Sequence, residues 1–243
     1  MITPEIPMSN WPIKRIVSAD YDFMAACRLL KDNFPEPLLG NVESYAQILV
    51  MEERENEYPD ESYFLVIKDM SERVAGTAIF AYLKRPNVIY LEYIATERKH
   101  RRSGIASRLL WEGIKMIRHY GYSPQAIVME VAKPSEELDG YDVESVRKRL
   151  KFFADLGSKV IEGVDYRMPT YTHQREIPAY LIVRPLSENF HFEKWQARQI
   201  LWALFYHVFR YDGDISEERA DKLYKITSAS ISNLSLVDPR KAL

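Results

Sequence analysis

A strand, a basic turn and a helix follow one another over residues 88–119, and this segment carries the residue types best suited to binding a ligand. The turn leads into Gly104, at which the helix begins. A helix N-terminus exposes about four unpaired N–H groups at the positive end of the helix dipole, and such a terminus binds phosphate. Gly104 allows a ligand close to the backbone, while Arg101 and Arg102 add positive charge. The segment therefore predicts a phosphate or diphosphate site over residues 101–107.

The residue pattern in this turn excludes two better-known phosphate-binding loops. It lacks the Gly-Lys-Ser or Gly-Lys-Thr sequence of a P-loop, and it lacks the Gly-x-Gly-x-x-Gly pattern of a dinucleotide site. From backbone arguments alone, an ordinary strand–loop–helix unit with a solvated basic face remains an alternative interpretation.

Two carboxylates lie within otherwise apolar, strand-like segments: Glu92 in Tyr-Leu-Glu-Tyr-Ile and Glu130 in Val-Met-Glu-Val-Ala. A carboxylate in an apolar strand costs free energy unless it is paired or lies in a cleft. Burial would also raise its pKa towards values useful for a general base. Alternatively, each carboxylate faces solvent or pairs with a nearby Lys or Arg.

The elements that must position these groups can be read from hydrophobic periodicity and turn residues. Strands are predicted over residues 12–18, 62–68, 73–83, 88–96, 126–131, 159–163 and 180–185. Helices are predicted over residues 21–33, 42–56, 103–119, 142–156, 192–211 and 216–230. These elements indicate an α/β or α+β core over residues 1–186. Residues 187–243 form a helical extension in which we expect no strand.

Composition excludes several classes of protein. The 243 residues are 47% hydrophobic with a net charge of −2, which argues against wholesale disorder and against a dedicated nucleic-acid binder. The single cysteine, Cys27, permits no intrachain disulfide and indicates a reducing compartment. The sequence shows neither a secretory leader nor a run long enough to span a membrane, so we expect a soluble, cytoplasmic protein that contacts no membrane. The histidines show no metal-ligand spacing, and we expect no metal.

The helix start resembles the acetyl-CoA signature of the GNAT N-acetyltransferases, Arg/Gln-x-x-Gly-x-Gly/Ala. The matching residues are Arg101, Arg102, Ser103, Gly104, Ile105 and Ala106. A second similarity covers residues 126–158, where Val-Met-Glu-Val precedes Arg-Leu-Lys-Phe-Phe-Ala-Asp-Leu-Gly-Ser. The order of predicted elements fits this family over about residues 12–185.

The resemblance implies a mixed sheet whose fourth and fifth strands splay apart, with acetyl-CoA in the gap. The pantetheine arm would pair with the backbone of Ile94, Ala95 and Thr96. The diphosphate would be held by the backbone amides from Arg102 to Ser107, and Arg101 would supply charge. The acetyl group would pass directly to a primary amine in a ternary complex.

The resemblance also implies catalytic roles. Glu130 matches a catalytic glutamate in the fifth strand of family members such as the ribosomal-protein alanine N-acetyltransferases. Glu92 lies in the fourth strand, where other members carry their catalytic glutamate. Either would act through water as the base. Phe153 occupies the position of the tyrosine that many family members use as the general acid for the departing thiolate. We prefer Tyr166 over Tyr141 and Tyr171 as the residue that takes this role.

Other interpretations stay open at this stage. Phe153 is consistent with a catalytically impaired acyl-CoA-binding sensor or interaction module, and the position that often carries a CoA-contacting asparagine is Val146. The acceptor is either a small-molecule amine or the amine of a peptide. The aromatic helix of the extension either packs on the sheet or forms a homodimer interface, and His173 either contacts substrate or is a solvated loop residue.

Overall fold

The computed structural model describes most of the chain. The described residues are 10–42, 45–46, 61–135, 138, 141–171, 175–188, 190–210 and 215–242. The predicted helix over 42–56 therefore lies mostly outside them, and His173 lies outside them altogether.

The described residues form nine strands and a set of helices on both faces of one sheet. The strands are β1 (Ile13–Ile16), β2 (Glu61–Lys68), β3 (Val74–Leu83), β4 (Val88–Thr96), β5 (Ala126–Ala132), β6 (Lys159–Glu162), β7 (Arg167–Pro169), β8 (Glu176–Pro185) and β9 (Ser235–Val237). The α-helices are α1 (Tyr21–Lys31), α2 (Ile105–His119), α3 (Val143–Asp155), α4 (Lys194–Ala203) and α5 (Glu217–Ala229). A π-helix over Leu204–Phe209 continues α4, and short 3₁₀ turns span Glu36–Leu38, Arg98–His100 and Pro239–Lys241.

The sheet is mixed and mostly antiparallel, with the strand order β1-β2-β3-β4-β5-β8-β6-β9. β7 pairs with β8 outside this path. Only the central pair, β4 and β5, is parallel among these neighbours, because α2 returns the chain across one face. The mixed α/β fold with splayed central strands is confirmed.

The splay lies between β4 and β5. Their pairing runs from Val88 opposite Ala126 to Leu91 opposite Met129 and then ends. β4 continues along β3 as far as Thr96, and β5 continues along β8 as far as Ala132. A gap therefore opens in the middle of the sheet directly after Leu91 and Met129.

Three hydrophobic clusters cover the two faces of the sheet. α2 and α3 pack on one face, against residues such as Leu91 and Met129. On the other face, α1 covers the β1–β4 side. The C-terminal helices cover the remainder of that face, including Val128 and Leu181. The open gap between β4 and β5 thus has a helical layer on each side.

The C-terminal extension is an integral layer of this fold. The residues of α4 and the π-helix that point to the sheet are fully buried, so the aromatic helix packs within the chain. The prediction that residues 187–243 contain no strand is wrong, because β9 pairs with β6. β7 was also missed. Both strands have three residues, too few to show a period of two, and each depends on a partner strand distant in sequence.

Candidate functional site

Glu92 occupies a β-bulge at the point where the central strands part. Ile79 of β3 lies opposite Tyr93, whereas the next residue, Phe80, lies opposite Leu91. Glu92 is therefore an extra residue on β4 with no partner across the ladder. Bulges of this kind re-aim a side chain and are frequent beside active sites.

Glu130 lies on β5 directly after the last residue pair of the β4–β5 ladder. It extends the side-chain alternation of Ala126 and Val128, which face the C-terminal helices. Glu92 interacts electrostatically with Glu130, and its negative charge raises the pKa of the Glu130 carboxyl. The structure therefore brings the two predicted carboxylates together at the opening of the gap.

Tyr166 precedes β7 and donates a hydrogen bond from its hydroxyl to Oε1 of Glu130. The Tyr166 side chain is fully buried among residues of β5, β8 and the extension. Its backbone is fixed too, since its carbonyl accepts a hydrogen bond of 3.1 Å from the N–H of Ala179. Of the three tyrosines considered from the sequence, Tyr166 is the one that reaches a predicted carboxylate.

Burial dominates the electrostatics of Glu130. It raises the pKa of the carboxyl to about 8, and the charge of Glu92 acts in the same direction. The hydroxyls of Tyr166 and of nearby Tyr90 oppose the rise because they stabilise the carboxylate. The pKa values of Tyr166 and Tyr90 are themselves raised well above their ordinary value, first by burial and then by Glu130.

The second oxygen of Glu130 is left over. Oε2 is shielded from solvent, and no described residue donates a hydrogen bond of normal geometry to it. Buried polar atoms nearly always have a partner, so an orphaned one indicates a place for water or a ligand. A carboxylate with a pKa near neutrality and one unoccupied oxygen can accept a proton from a molecule in the gap.

Glu92 is held in the same way as Glu130, by a tyrosine distant in sequence. The buried Tyr45 donates a hydrogen bond from its hydroxyl to Oε1 of Glu92. Sequence reasoning missed Tyr45 because its proximity depends on how the chain after α1 folds back over β4. Tyr90 was missed as well, although its place two residues before Glu92 signals a shared face of the strand.

The turn predicted to bind phosphate contains two residues with a left-handed backbone. Gly104 caps α2 with φ +87°, and Arg102 is also left-handed with φ +66°. Left-handed residues on both sides of Ser103 curl the chain, and curled turns of this kind can bring backbone N–H groups together around an anion. The Ser103 hydroxyl stabilises this turn by donating to the carbonyl of His100 over 2.5 Å.

The space around this turn is open. A Cβ added to Gly104 would meet no atom within 4 Å, so the glycine serves its backbone conformation and the approach of a ligand. Arg101 and Arg102 are exposed. Arg101 donates to Oδ1 of Asn33 over 2.9 Å, whereas no described residue pairs with the side chain of Arg102. The Arg102 guanidinium is therefore available to a solution anion.

The first turn of α2 contains Ile105, Ala106 and Ser107. Ile105 is buried and anchors the helix start on the sheet, while Ala106 and Ser107 are half-buried. A Cβ added to Gly76 of β3 would come within 2.5 Å of the Ile105 side chain, so the glycine allows this close approach. The helix N-terminus is consequently fixed beside the end of β4.

The edge of β4 facing the gap has no strand partner beyond Leu91 among the described residues. This part of β4 includes Ile94, Ala95 and Thr96, which pair with β3 on the other side. An unpaired strand edge presents N–H and C=O groups to any extended molecule with amides of its own. The edge leads directly to the turn that ends at Gly104.

A cavity of about 500 Å³ lies beside the segment that follows α1. It is lined by Lys31, Phe34, Glu36, Leu39, Gly40, Asn41 and Tyr171. Tyr93, the neighbour of Glu92, supports its wall: the Tyr93 ring contacts Phe34 edge-on, and its hydroxyl accepts a hydrogen bond of 3.1 Å from the N–H of Gly40. Tyr93 of β4, which follows Glu92 in the sequence, thus contacts two of the residues that line the cavity.

The substitutions noted from the sequence lie on the opposite face of the sheet. Phe153 and Val146 are buried in the cluster formed with α2 and α3. Tyr141 is buried in the same cluster, and the Arg149 guanidinium stacks over its ring at 4.0 Å. These residues pack a core on that face.

Comparison with known proteins places this geometry in a family. Residues 23–138 match the family model of the acetyltransferase (GNAT) family. The chain carries a GNAT acetyltransferase domain. The matched residues, just under half of the chain, are those of a family of acetyltransferases. No curated protein matches the chain in sequence at a significant level.

Solved structures show the same fold at low sequence identity. A protein described as a GNAT-family acetyltransferase from Bacteroides thetaiotaomicron is 19% identical, with a TM-score of 0.56 over 79% of this chain and 96% of that one. An aminoglycoside 6′-N-acetyltransferase, solved in complex with coenzyme A, is 15% identical, with a TM-score of 0.51 over 74% of this chain and 99% of that one.

The match to the GNAT family model includes some parts of the site and leaves others out. Glu92, Glu130 and the turn at Gly104 fall within residues 23–138. Tyr166 and the C-terminal extension fall outside this range. The structure nevertheless places Tyr166 on Glu130, so the GNAT domain of this chain depends on residues beyond the matched segment.

Two absences apply to the part of the chain that the structure describes. Its His, Cys, Asp and Glu side chains form no group of three or more arranged to hold a metal ion. None of its helices combines the length and apolar character that crossing a bilayer requires.

Proposed function

We propose that this chain transfers the acetyl group of acetyl-CoA directly to a primary amine in a ternary complex, with Glu130 as the general base. The observation that carries the proposal is Oε2 of Glu130 at the mouth of the central gap: it is shielded from solvent and has no hydrogen-bond partner among the described residues. With a pKa of about 8, roughly a tenth of Glu130 is ionised at pH 7 and ready to accept a proton.

The donor substrate fits the open strand edge and the helix start. The amides of a pantetheine arm would pair with the backbone of Ile94, Ala95 and Thr96. The diphosphate would accept hydrogen bonds from the backbone N–H groups from Arg102 to Ser107, and Arg101 and Arg102 would neutralise its charge. The same path leads the thioester back towards Glu92 and Glu130.

The chemical step needs a neutral amine. Its lone pair attacks the thioester carbonyl, a C–N bond forms, and the C–S bond breaks as the thiolate leaves. The amine proton passes to Oε2 of Glu130 through one bridging water molecule. This oxygen can accept a hydrogen bond from such a water because no described residue donates to it. Glu92 maintains the negative potential of the site and thereby favours a cationic acceptor before its deprotonation.

Tyr166 acts in this proposal by holding Glu130. Its hydroxyl already donates to Oε1, and burial raises its pKa well above the ordinary value. A phenol of that kind is a poor proton donor to a thiolate whose ordinary pKa is about 8.5. The role of Tyr166 as the general acid, inferred from the sequence, remains a prediction. Removing its hydroxyl distinguishes that role from the role of holding Glu130.

The acceptor would enter between the segment after α1 and the loop that carries Tyr171. Support comes from the cavity beside Tyr93, which Glu36 and Tyr171 line. The lining combines apolar and aromatic side chains with the charged Lys31 and Glu36. The Glu36 carboxylate and the apolar surface together suit an amine attached to a hydrophobic or aromatic group. We propose a small-molecule amine or the amine of a peptide that offers such a group.

A panel of primary amines tests the proposal directly. Release of free CoA thiol from acetyl-CoA is measured for the wild-type chain, Glu130→Gln and Glu92→Gln. We expect Glu130→Gln to lower kcat by roughly 10²–10⁴-fold while CoA affinity measured by calorimetry stays unchanged. Full activity in Glu130→Gln would assign the base to Glu92.

The rival function is an acyl-CoA-binding module without catalysis. It predicts tight CoA binding and no thiol release with any amine. Burial of Phe153 in the opposite core gives that position no access to Glu130, so its lack of a hydroxyl does not decide between the two functions.

A further inference from the structure

The π-helix of the C-terminal extension lies directly behind the Tyr166–Glu130 pair. Phe205, the second residue of this π-helix, is fully buried. Its ring centroid is 6.2 Å from that of Tyr166, and the two planes are inclined at 33°. Phe209 packs against Phe205 in turn, with ring centroids 5.9 Å apart. Segments of π-helix are rare and are frequently found at functional sites.

We propose that Phe205 is a positioning residue for the acetyltransferase reaction: its ring packs against Tyr166 and excludes water from the Tyr166–Glu130 pair. The inference rests on the proposed function and extends it to a segment outside residues 23–138, the part that matches the family model. It makes the C-terminal extension a part of the catalytic site.

The packing gives the physical reason. Tyr166 is held at its backbone by Ala179 and at its hydroxyl by Glu130, while its ring is held in the cluster that contains Phe205. A smaller side chain at Phe205 would open space next to the ring, and buried space bordering polar groups admits water. Water beside Glu130 would reduce the desolvation that disfavours its charged form.

The groups that face Glu130 are Tyr166 from the segment before β7, and Tyr90 and Glu92 from β4. All of them remain in a Phe205 variant. A fall of the Glu130 midpoint would therefore report water entering beside the carboxyl, whereas a rise would report loss of the Tyr166 hydrogen bond, which favours the ionised carboxylate. Tyr45, which holds Glu92, is also unaffected.

The test is a carboxyl titration that needs no acceptor. Glutamate labelled with ¹³C is incorporated into the chain, and the Cδ signal of Glu130 is assigned by its absence in Glu130→Gln. We expect the midpoint to fall by about one pH unit in Phe205→Leu and further in Phe205→Ala. Circular dichroism and thermal melting verify that each variant is folded, and Phe205→Leu is retained if Phe205→Ala does not fold.

Phe209→Leu is the matched control. It removes the same number of atoms from the same π-helix at equal burial, yet its ring contact is with Phe205 and not with Tyr166. We expect it to lower the melting temperature comparably and to leave the Glu130 midpoint unchanged. An unshifted or upward-shifted midpoint in Phe205→Leu, or an equal downward shift in Phe209→Leu, would overturn the proposal.

The outcome is distinguishable from failure of the proposed function. If no amine is acetylated but the midpoint falls in Phe205→Leu alone, the positioning of Glu130 by the extension stands and the proposed reaction fails. If acetyl transfer is found and the midpoint does not move, the reaction stands and the role of Phe205 fails.

Discussion

Removing the hydroxyl of Tyr166 is the most informative single change in this site. Tyr166→Phe keeps the buried ring and its contact with Phe205 but deletes the hydrogen bond to Oε1 of Glu130. That hydrogen bond favours the ionised carboxylate and opposes the rise in its pKa. The variant should therefore hold Glu130 in its protonated, inactive form up to a higher pH than the wild type.

The size of the effect follows from the charge on the acceptor. A hydrogen bond to a charged group contributes about 1.5–3 kcal/mol, and one pKa unit corresponds to about 1.4 kcal/mol. The pKa of Glu130 should thus rise by about one to two units from its value of about 8. At pH 7 the ionised fraction then falls roughly ten- to a hundredfold, and kcat/KM should fall by the same factor.

The assay is the pH dependence of kcat/KM, measured by thiol release with the best amine of the panel and corrected for spontaneous thioester hydrolysis. Because the defect is one of ionisation, activity should recover as the pH approaches the raised pKa. Tyr122→Phe is the control, since it also deletes a tyrosine–carboxylate hydrogen bond, that between Tyr122 and Glu61 at the start of β2, outside the π-helix and the pair it packs against.

Two results would refute this reasoning. If Tyr166 is the acid that protonates the departing thiolate, its loss lowers the rate at every pH and alkaline conditions restore nothing. If the acidic limb of the profile keeps its wild-type position, the hydrogen bond does not control the ionisation of Glu130.

Three further predictions concern the rest of the site. Glu130→Gln should melt at a higher temperature than the wild type above about pH 8 and at an equal temperature below about pH 4.5. The folded wild-type chain keeps a proton on Glu130 between the unfolded pKa of 4.5 and the folded pKa of about 8, so it loses stability as the pH rises through that interval. Equal melting curves at alkaline pH would contradict the desolvation of this carboxyl. Gly104→Ala should weaken CoA binding, measured by calorimetry, far more than Gly121→Ala does. Both glycines have a left-handed backbone with open space around an added Cβ, but only Gly104 borders the proposed anion-binding turn. Equal losses of affinity would remove the cofactor assignment. Arg219→Gln should raise KM for the amine more than KM for acetyl-CoA, because the Arg219 guanidinium of α5 donates to the carbonyls of Thr170 (3.3 Å) and Arg175 (2.6 Å) at the base of the Tyr171 loop. The control is Arg210→Gln, which breaks an exposed ion pair with Glu217. An equal rise in both KM values would show a general loss of structure.

The central strand illustrates what the sequence predicts well. The strand predicted over residues 88–96 is β4 with the same ends, because a long run of β-branched and aromatic residues bounded by polar ones has one plausible conformation. The cap of α1 was equally readable, since Asp20 accepts a hydrogen bond of 3.1 Å from the N–H of Phe23. Both signals are local in the chain.

The chemistry of the site depends on contacts that are not local. The bulge at Glu92 is a one-residue shift in pairing between β3 and β4, and neither strand alone encodes it. Tyr45 lies 47 residues from Glu92, and Tyr166 lies 36 residues from Glu130. Residue type and strand alternation were enough to select the two glutamates, but not to find the tyrosines that hold them.

Each glutamate needs a hydrogen-bond donor to offset its desolvation, yet the proposed base must also keep one oxygen free for a proton. The layers on the face of the sheet that carries α1 and the C-terminal helices supply the donors. A carboxylate that is partly removed from water is costly, so each half-buried glutamate receives one tyrosine hydroxyl, from Tyr45 on the α1 side and from Tyr166 on the side of the extension. Full satisfaction of Glu130 would fix its proton and remove its use as a base, and its second oxygen is left without a partner in the described part of the chain. The desolvation that raises the pKa of Glu130 must then come from packing around the pair, and Phe205 supplies part of that packing from outside the matched GNAT segment. In this chain, burial of the proposed base is consequently a property of the C-terminal extension as much as of the sheet that carries the glutamate.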